Sequence, residues 1–242
     1  MIVLGIETSG DTASIAIRED DTVVAFRSFP SRSSLCERLS AEIGSALEHM
    51  GEDRRLDAIA VSRGPGSFTS LRIGVVTAKA LAHQMRLPLV GIPTTEVVAW
   101  PLAQEGGPTI AVMLPAWNKA LYVAVYLPGP NGGLQERLAP CAMEPDVAIE
   151  RLSAVKGPLQ LVGRGALEHR EALRETLGAR AVLAAESACD PDAASLTEVA
   201  LDGVAETDPG AAFHLRPLYV VPSQAERVAG IDLGMSGAER GV

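Results

Sequence analysis

Histidine and cysteine are scarce in this chain, and neither is arranged for chemistry. The four histidines, His49, His83, His169 and His214, show no H-x-x-x-H or H-E-x-x-H spacing, so two ligands on adjacent turns of one helix are missing and no zinc or iron centre is expected. The three cysteines, Cys36, Cys141 and Cys189, lie far apart without a C-x-x-C pair. Neither a disulfide framework nor a zinc ribbon is indicated, and the thiols read as inert. Basic charge is short as well: 21 Lys and Arg stand against 30 Asp and Glu, a formal net charge of −9. A free-standing nucleic-acid binder carries a basic footprint for phosphate contacts, so any RNA has to be held mainly by a partner. There is no charged leader with an apolar segment behind it, nor any apolar run of about 18 residues. No membrane association and a cytoplasmic location are the expectations. The fingerprints G-x-x-x-x-G-K-[ST], G-x-G-x-x-G and G-x-S-x-G are absent too, which removes the usual nucleotide loops and the hydrolase nucleophile elbow.

What is present is apolar and loop-rich. With 242 residues, 47% of them hydrophobic, the chain can bury a sizeable core in one large or two small domains. Its most informative stretch is Arg63 to Gly74, R-G-P-G-S-F-T-S-L-R-I-G. Leu56 to Val61 before it reads as a buried strand, and Leu71 to Met85 after it reads as a helix. Gly64, Pro65 and Gly66 turn the chain sharply, and Ser67 or Thr69 is placed to cap the helix. Free backbone N–H groups at such a turn attract anions, so Gly64, Gly66 and Ser67 form a candidate phosphate site, with an ordinary tight turn as the alternative. Along the helix Ser70, Gly74, Ala78 and Ala82 recur every fourth residue, a row of small side chains with Leu71 beside it. A helix apolar nearly all round is enclosed on most sides. This one reads as packed on its own core and, on a second face, on another helix.

Around that stretch the chain alternates between strand and helix. Met1 to Glu7 is an apolar strand ending in an acid, Thr8 to Asp11 a polar turn, and Ala13 to Ile17 and Val23 to Phe26 complete a meander. Ser34 and Glu37 fit a capping box ahead of a helix that carries Leu35, Leu39, Ile43, Leu47 and Met50 on one face. Leu87 to Ile92 closes a strand-strand-strand-helix-strand-helix-strand order, which indicates an α/β fold. After the break at Glu105 to Pro108 the pattern begins again. Strands are expected at Thr109 to Leu114, Leu121 to Leu127 and Leu159 to Val162, and helices at Pro145 to Leu152 and Ala193 to Asp202. Beyond Pro222 the composition turns to Gly, Ser, Glu and Arg, the mark of a frayed tail at 223–242.

The run G-P-G-S-F-T-S-L-R-I-G closely resembles the G-P-G-S-F-T-G-L-R-I-G stretch of the bacterial TsaB (YeaZ) family, and Pro217-Leu218-Tyr219 resembles that family's P-x-Y near its C-terminal end. Ser70 stands where the family usually has Gly. Pro115, Trp117 and Ala120 stand where it usually has an Asp, an Arg and a Glu. The resemblance implies an actin-like (Hsp70-like) fold of two related α/β halves, 1–94 and 95–222. It implies a non-catalytic subunit of the complex that makes threonylcarbamoyladenosine on tRNA. The catalytic partner, TsaD, is recognised by an H-x-x-x-H metal pair that this chain lacks, and TsaE is the ATPase. The pairing surface expected on that basis comprises Leu35, Leu39, Ile43, Ser70, Leu71, Gly74, Ala78 and Ala82. A homodimer of the free chain is a further expectation. The isolated chain is expected to carry no cofactor, ATP and Mg being supplied through partner subunits, and to meet tRNA only within the complex. The alternative is an ATP-dependent phosphotransferase of the same superfamily, using Glu7 with Gly64, Gly66 and Ser67.

Overall fold

A computed structural model describes residues 1–31, 34–50, 54–204 and 214–220; the tail expected at 223–242 lies outside them. The described residues form two compact units, those within 1–97 and 191–217, and those within 98–190 and 218–220.

The first unit is built on a five-stranded sheet. Its strands are β1 (Ile2–Glu7), β2 (Thr12–Glu19), β3 (Thr22–Pro30), β4 (Ala58–Ser62) and β5 (Leu89–Ile92), in the order β3-β2-β1-β4-β5. The first three form an antiparallel meander, and β1, β4 and β5 run parallel. Strands β1 and β4 read as nearly unbroken apolar runs because they are covered on both faces. On one face lie α1 (Leu35–Met50) and α2 (Phe68–Met85), whose Leu35, Leu39, Ile43, Val75, Ala78 and Ala82 meet Leu4, Ile6, Ile59 and Val61 in one core. On the other lies α7 (Ala193–Val204), against β1, β2 and β5. A Cβ added at Gly5 would stand 2.6 Å from Thr197 Cγ2 and 2.9 Å from the Ala193 carbonyl. That closeness is why a glycine interrupts an otherwise branched strand.

Polar groups fix α7 to this sheet. Ser14 Oγ accepts the Ala193 N–H at 2.9 Å, Asp192 accepts the Ser195 N–H at 2.9 Å, and the buried Arg18 donates to Thr197 Oγ1, the Ala194 carbonyl and Glu198. The linear division at residue 94 therefore needs correction, because α7 was assigned to the second half and folds with the first. Side-chain bonds across some 180 residues of sequence, such as Arg18 to Glu198, leave no local periodicity to read.

The second unit repeats the plan. Its strands β6 (Thr109–Pro115), β7 (Leu121–Pro128), β8 (Leu134–Met143), β9 (Leu159–Val162) and β10 (Ala181–Leu183) lie in the order β10-β9-β6-β7-β8. Again an antiparallel meander, β6-β7-β8, leads into parallel neighbours, β9 and β10. Helices α4 (Pro145–Ser153) and α6 (Arg170–Leu177) cover one face through Ala148, Ile149, Leu152, Leu173 and Leu177. The other face carries Ile110, Val112, Tyr122 and Tyr126. Two short helices, α3 (Thr94–Ala99) and α5 (Arg164–Glu168), complete the set. No helix among the described residues is long and apolar enough to cross a membrane.

The small-residue row of α2 points inward. Ser70, Leu71, Gly74, Ala78 and Ala82 are all buried within this one chain, as are Leu35, Leu39 and Ile43. The eight residues expected to line a joint with a partner are thus packed on the chain's own sheet and β1–β2 turn, and the expectation is corrected accordingly. Spacing by fours reports that something approaches the helix closely, and here that something is Thr8. Its hydroxyl donates to the Ser70 carbonyl at 2.9 Å, and a Cβ at Gly74 would fall inside its side chain, with Thr8 Cβ and Cγ2 at 3.2 Å. Gly74→Ala should therefore destabilise the fold by about 1–3 kcal/mol through overpacking. Thr8→Ala in the same chain should recover part of that loss, since it empties the space the new methyl enters. Thermal melts of both single variants and the double variant test this coupling; strictly additive losses would show that the two residues do not share the space.

Candidate functional site

In open α/β sheets a ligand crevice is expected at the carboxyl ends of the parallel strands. Here the ends of β1, β4 and β5 bring together Glu7, Thr8, Ser9, Ser62, Arg63, Thr94 and the loop Gly64–Ser67. Glu7 and Ser62, the last residues of neighbouring parallel strands, are both 0% exposed. Ser9 folds back over Glu7: its N–H and its hydroxyl both donate to Glu7 Oε1 at 2.5 Å. Glu7 Oε2, Ser62 Oγ and Thr94 Oγ1 are buried and without a hydrogen-bond partner at bonding distance.

The glycine loop seals this cluster. Ser67 donates its N–H to the Ser9 carbonyl at 2.8 Å, and Thr94 donates its own to the Gly64 carbonyl at 2.8 Å. At Gly66 a Cβ would stand 2.8 Å from Ser9 Cβ. Glycine is needed there because the β1–β2 turn leaves no room for a side chain. The Gly64–Pro65 peptide is cis. Ser67 occupies the N-cap position of α2 with extended backbone, but its hydroxyl bonds Ser70 Oγ at 3.0 Å instead of capping an N–H. The four residues expected near a phosphate, Glu7, Gly64, Gly66 and Ser67, thus do come together, and their polar groups are turned largely on one another.

Burial pushes the Glu7 carboxyl above the ordinary glutamate range; the Ser9 hydroxyl and amide and the neighbouring Ser62 pull it back in part, and Asp192 adds to the rise. Burial of this kind disfavours the charged form of the carboxyl. Among the described residues no three His, Cys, Asp or Glu side chains are placed to hold a metal ion. Chemically this constellation can fix the β1–β2 turn against the start of α2.

Two other places invite comparison. In the second unit, Gly163 with φ 105 turns β9 into α5, and a Cβ there would stand 2.9 Å from the Met113 carbonyl carbon. The next residue, Arg164, donates through Nε to Asp190 at 2.8 Å and through Nη1 to Glu186 at 2.7 Å. This is an internal clamp. The turn between β6 and β7 carries Trp117, 60% exposed, flanked by Asn118 and Lys119 with φ 59 and 64.

On the outward side of α2 the sequence pattern marks Arg72 and His83, within a charged stripe with Lys79 and Arg86, but not the apolar Phe68 and Val76. Phe68 is 38% exposed and Val76 64%, with Arg72 stacked over the Phe68 ring at 3.9 Å and Ala80 and His83 further along the same side. Their spacing by threes and fours is a second stripe on the same helix. The apolar members of that stripe were legible by spacing, but the small-residue row was the one taken for the joint.

Two copies of a meander followed by parallel crossover strands, each copy in the same strand order, define an actin-like ATPase fold. A family model described as "TsaD: tRNA N6-adenosine threonylcarbamoyltransferase" matches residues 32–179. The tRNA threonylcarbamoyladenosine biosynthesis protein TsaB of Escherichia coli K12 is 29% identical over 167 residues, which cover 68% of this chain and 72% of that protein. TsaB of Bacillus subtilis 168 is 26% identical over 196 residues, 79% of this chain and 83% of that one. Among solved structures, YeaZ from Pseudomonas aeruginosa aligns with a TM-score of 0.72 at 21% identity, covering 90% of this chain and 99% of that one. The ROK hexokinase of Thermus thermophilus aligns at 0.52 with 15% identity, over 83% and 97%, a likeness of fold alone. The chain belongs to the TsaD family of tRNA N6-adenosine threonylcarbamoyltransferase proteins, in its TsaB (YeaZ) branch.

The raised Glu7 predicts how stability varies with pH. In the unfolded chain a glutamate titrates near about 4.3, whereas the folded group holds its proton to higher pH. Stability is then fully present below the unfolded value and declines as pH rises through the interval up to the folded one. Glu7→Gln keeps an oxygen for Ser9, adds a donor beside Ser62 and removes the titration. The variant should melt higher than the parent at about pH 8, and the gap should narrow as the pH falls towards the glutamate range. A gap that does not change with pH would show that Glu7 is ionised in the folded protein.

Proposed function

We propose that this protein is a non-catalytic subunit of the machinery that makes threonylcarbamoyladenosine on tRNA, and that it pairs with a TsaD-type catalytic subunit through the outer face of α2. Membership of the TsaB branch supports the pathway. The observation that carries the pairing is the exposed stripe Phe68, Arg72 and Val76, apolar side chains around a guanidinium on a helix whose opposite face is already filled. Aromatic and arginine side chains of this kind are the usual anchors of a protein interface. The same stripe can pair with itself in an isologous dimer of the free chain.

The phosphotransferase reading has less support. It needs an ionised acid at the end of β1 and open N–H groups in the glycine loop, whereas Glu7 is buried with its pKa raised and the Ser67 N–H is bonded to Ser9. With a net charge of −9 the chain meets tRNA through its partner, and the ATPase step belongs to a TsaE-type subunit. Its place is the cytoplasm, where those partners and tRNA are found.

Phe68→Asp combined with Val76→Arg should leave folding intact, since both side chains already reach water. Capture of the purified TsaD-type subunit from the same cell should weaken by about a hundredfold, the scale of losing two interface anchors. Circular dichroism and melting of the variant accompany the binding titration. A folded variant that binds at parental strength would remove α2 from the interface. In a separate gel shift at physiological salt the chain alone should bind tRNA no more tightly than about micromolar. Submicromolar binding would overturn the assignment of tRNA contact to the partner.

A further inference from the structure

The second unit contains a cavity with no role in the reading above. It lies between the β7–β8 ribbon and α4, with a volume of about 390 Å³, which falls at the small end of the range of ligand sites, roughly 300–1,000 Å³. Val123, Val125 and Leu152, all nearly or fully buried, form its floor, and the half-buried Leu127, Leu138 and Val155 leave part of their apolar surface turned into it. Its polar lining consists of Thr109 and two arginines, Arg137 on β8 and Arg151 on α4.

No carboxylate lines this space; Glu136 and Glu150, the sequence neighbours of the two arginines, are outside the lining. Among the described residues neither Arg137 nor Arg151 has an ion pair, whereas Arg18, Arg38, Arg54 and Arg164 all do. Both arginines are exposed residues, so their guanidinium groups stand at the open rim of the apolar hollow. Guanidinium groups recognise carboxylates through paired N–H donors, and the recognition strengthens where water is partly excluded. Arg180 holds the far wall in place by donating to the carbonyls of Leu152, Ser153 and Val155 at the end of α4.

We propose that this cavity binds a small apolar carboxylic acid, with the carboxylate against Arg137 and Arg151 and an aliphatic body of a few carbons on Val123, Val125 and Leu152. The site is independent of α2 and of pairing with any partner. Octanoate is the probe, titrated into the full chain by calorimetry and followed by methyl NMR of the valines. One saturable site per chain is expected, with shifts centred on Val123 and Val125. Octanol, which has the same body without the charge, should bind at least about tenfold more weakly. Arg137→Gln with Arg151→Gln should weaken octanoate by a similar factor, and the Lys pair should restore part of the affinity. Melting of each variant separates loss of the site from loss of the fold; should the Gln pair fail to fold, the octanoate–octanol difference on the parent chain decides. Equal binding of octanol and octanoate, or shifts that avoid the two valines, would overturn the proposal. So would affinity for anionic phospholipid vesicles with none for the free acid, since that would make the arginines a lipid-surface patch.

Discussion

The three residues after Ile6 hold the first unit together, because each faces a different neighbour. Glu7 points, like Gly5 two residues earlier, to the side of the sheet covered by α7, where Asp192 lies near it. Thr8 enters the space that Gly74 leaves on α2 and bonds the Ser70 carbonyl. Ser9 turns back to hold Glu7 through two donors and gives its carbonyl to Ser67. A bulkier residue at Gly66 or Gly74 would lift α2 from this turn, and a bulkier one at Gly5 would lift α7 from the sheet. The two layers flanking β1 are therefore set by close approach at glycine, and the buried polar groups fill what lies between. An unsatisfied buried oxygen costs about 1–3 kcal/mol, so the two Ser9 donors to Glu7 Oε1 offset part of what burying this carboxyl costs.

The second unit repeats the strand order without repeating that knot. The strand equivalent to β1 is β6, and it ends in Pro115 where β1 ends in Glu7; the turn beyond it presents Trp117 to solvent. A proline cannot accept or donate as a carboxyl does, and it lacks the N–H that a turn would aim at a ligand. The corresponding glycine turn, at Gly163, leads into an arginine held by Asp190 and Glu186. The two units share a backbone plan, while the polar residues at their strand ends differ.

Much of this was legible along the chain, for physical reasons that differ from element to element. The strands β1, β6 and β7 are runs of branched residues bounded by turn formers, and α1 carries its apolar residues at helical spacing, so pattern alone locates them. Strand β8 was missed. It is an edge strand, L-Q-E-R-L-A-P-C-A-M, half exposed and interrupted by Pro140, which edge strands tolerate and sequence patterns do not reveal. Strand β10 is three residues long, too short for any periodicity. The return of α7 to the first unit was also missed, since Ser14, Arg18 and Glu198 reveal their partnership only in three dimensions. At the candidate site the membership of Glu7, Gly64, Gly66 and Ser67 was foreseen. Their orientation was not, because spacing does not show whether an N–H faces outward or meets a neighbouring carbonyl.

The orientation of α2 bears most directly on function. A helix can be apolar all round for two reasons, a core on one side and a partner on the other, and sequence alone does not assign the sides. Once Thr8 occupies the small-residue row, the side left open on this helix is the opposite one, where Phe68 and Val76 stand around Arg72; that is the side proposed for a partner. Exposed apolar side chains scattered singly need no explanation. These two share one stripe of one helix with a stacked guanidinium between them, which is how interface anchors are arranged rather than how a solvated face is. The polar groups at the strand ends of this unit are buried, whereas the outer side of α2 is open to solvent. On the function proposed above, that is the physical sense in which a fold shared with phosphotransferases can serve as a binding subunit.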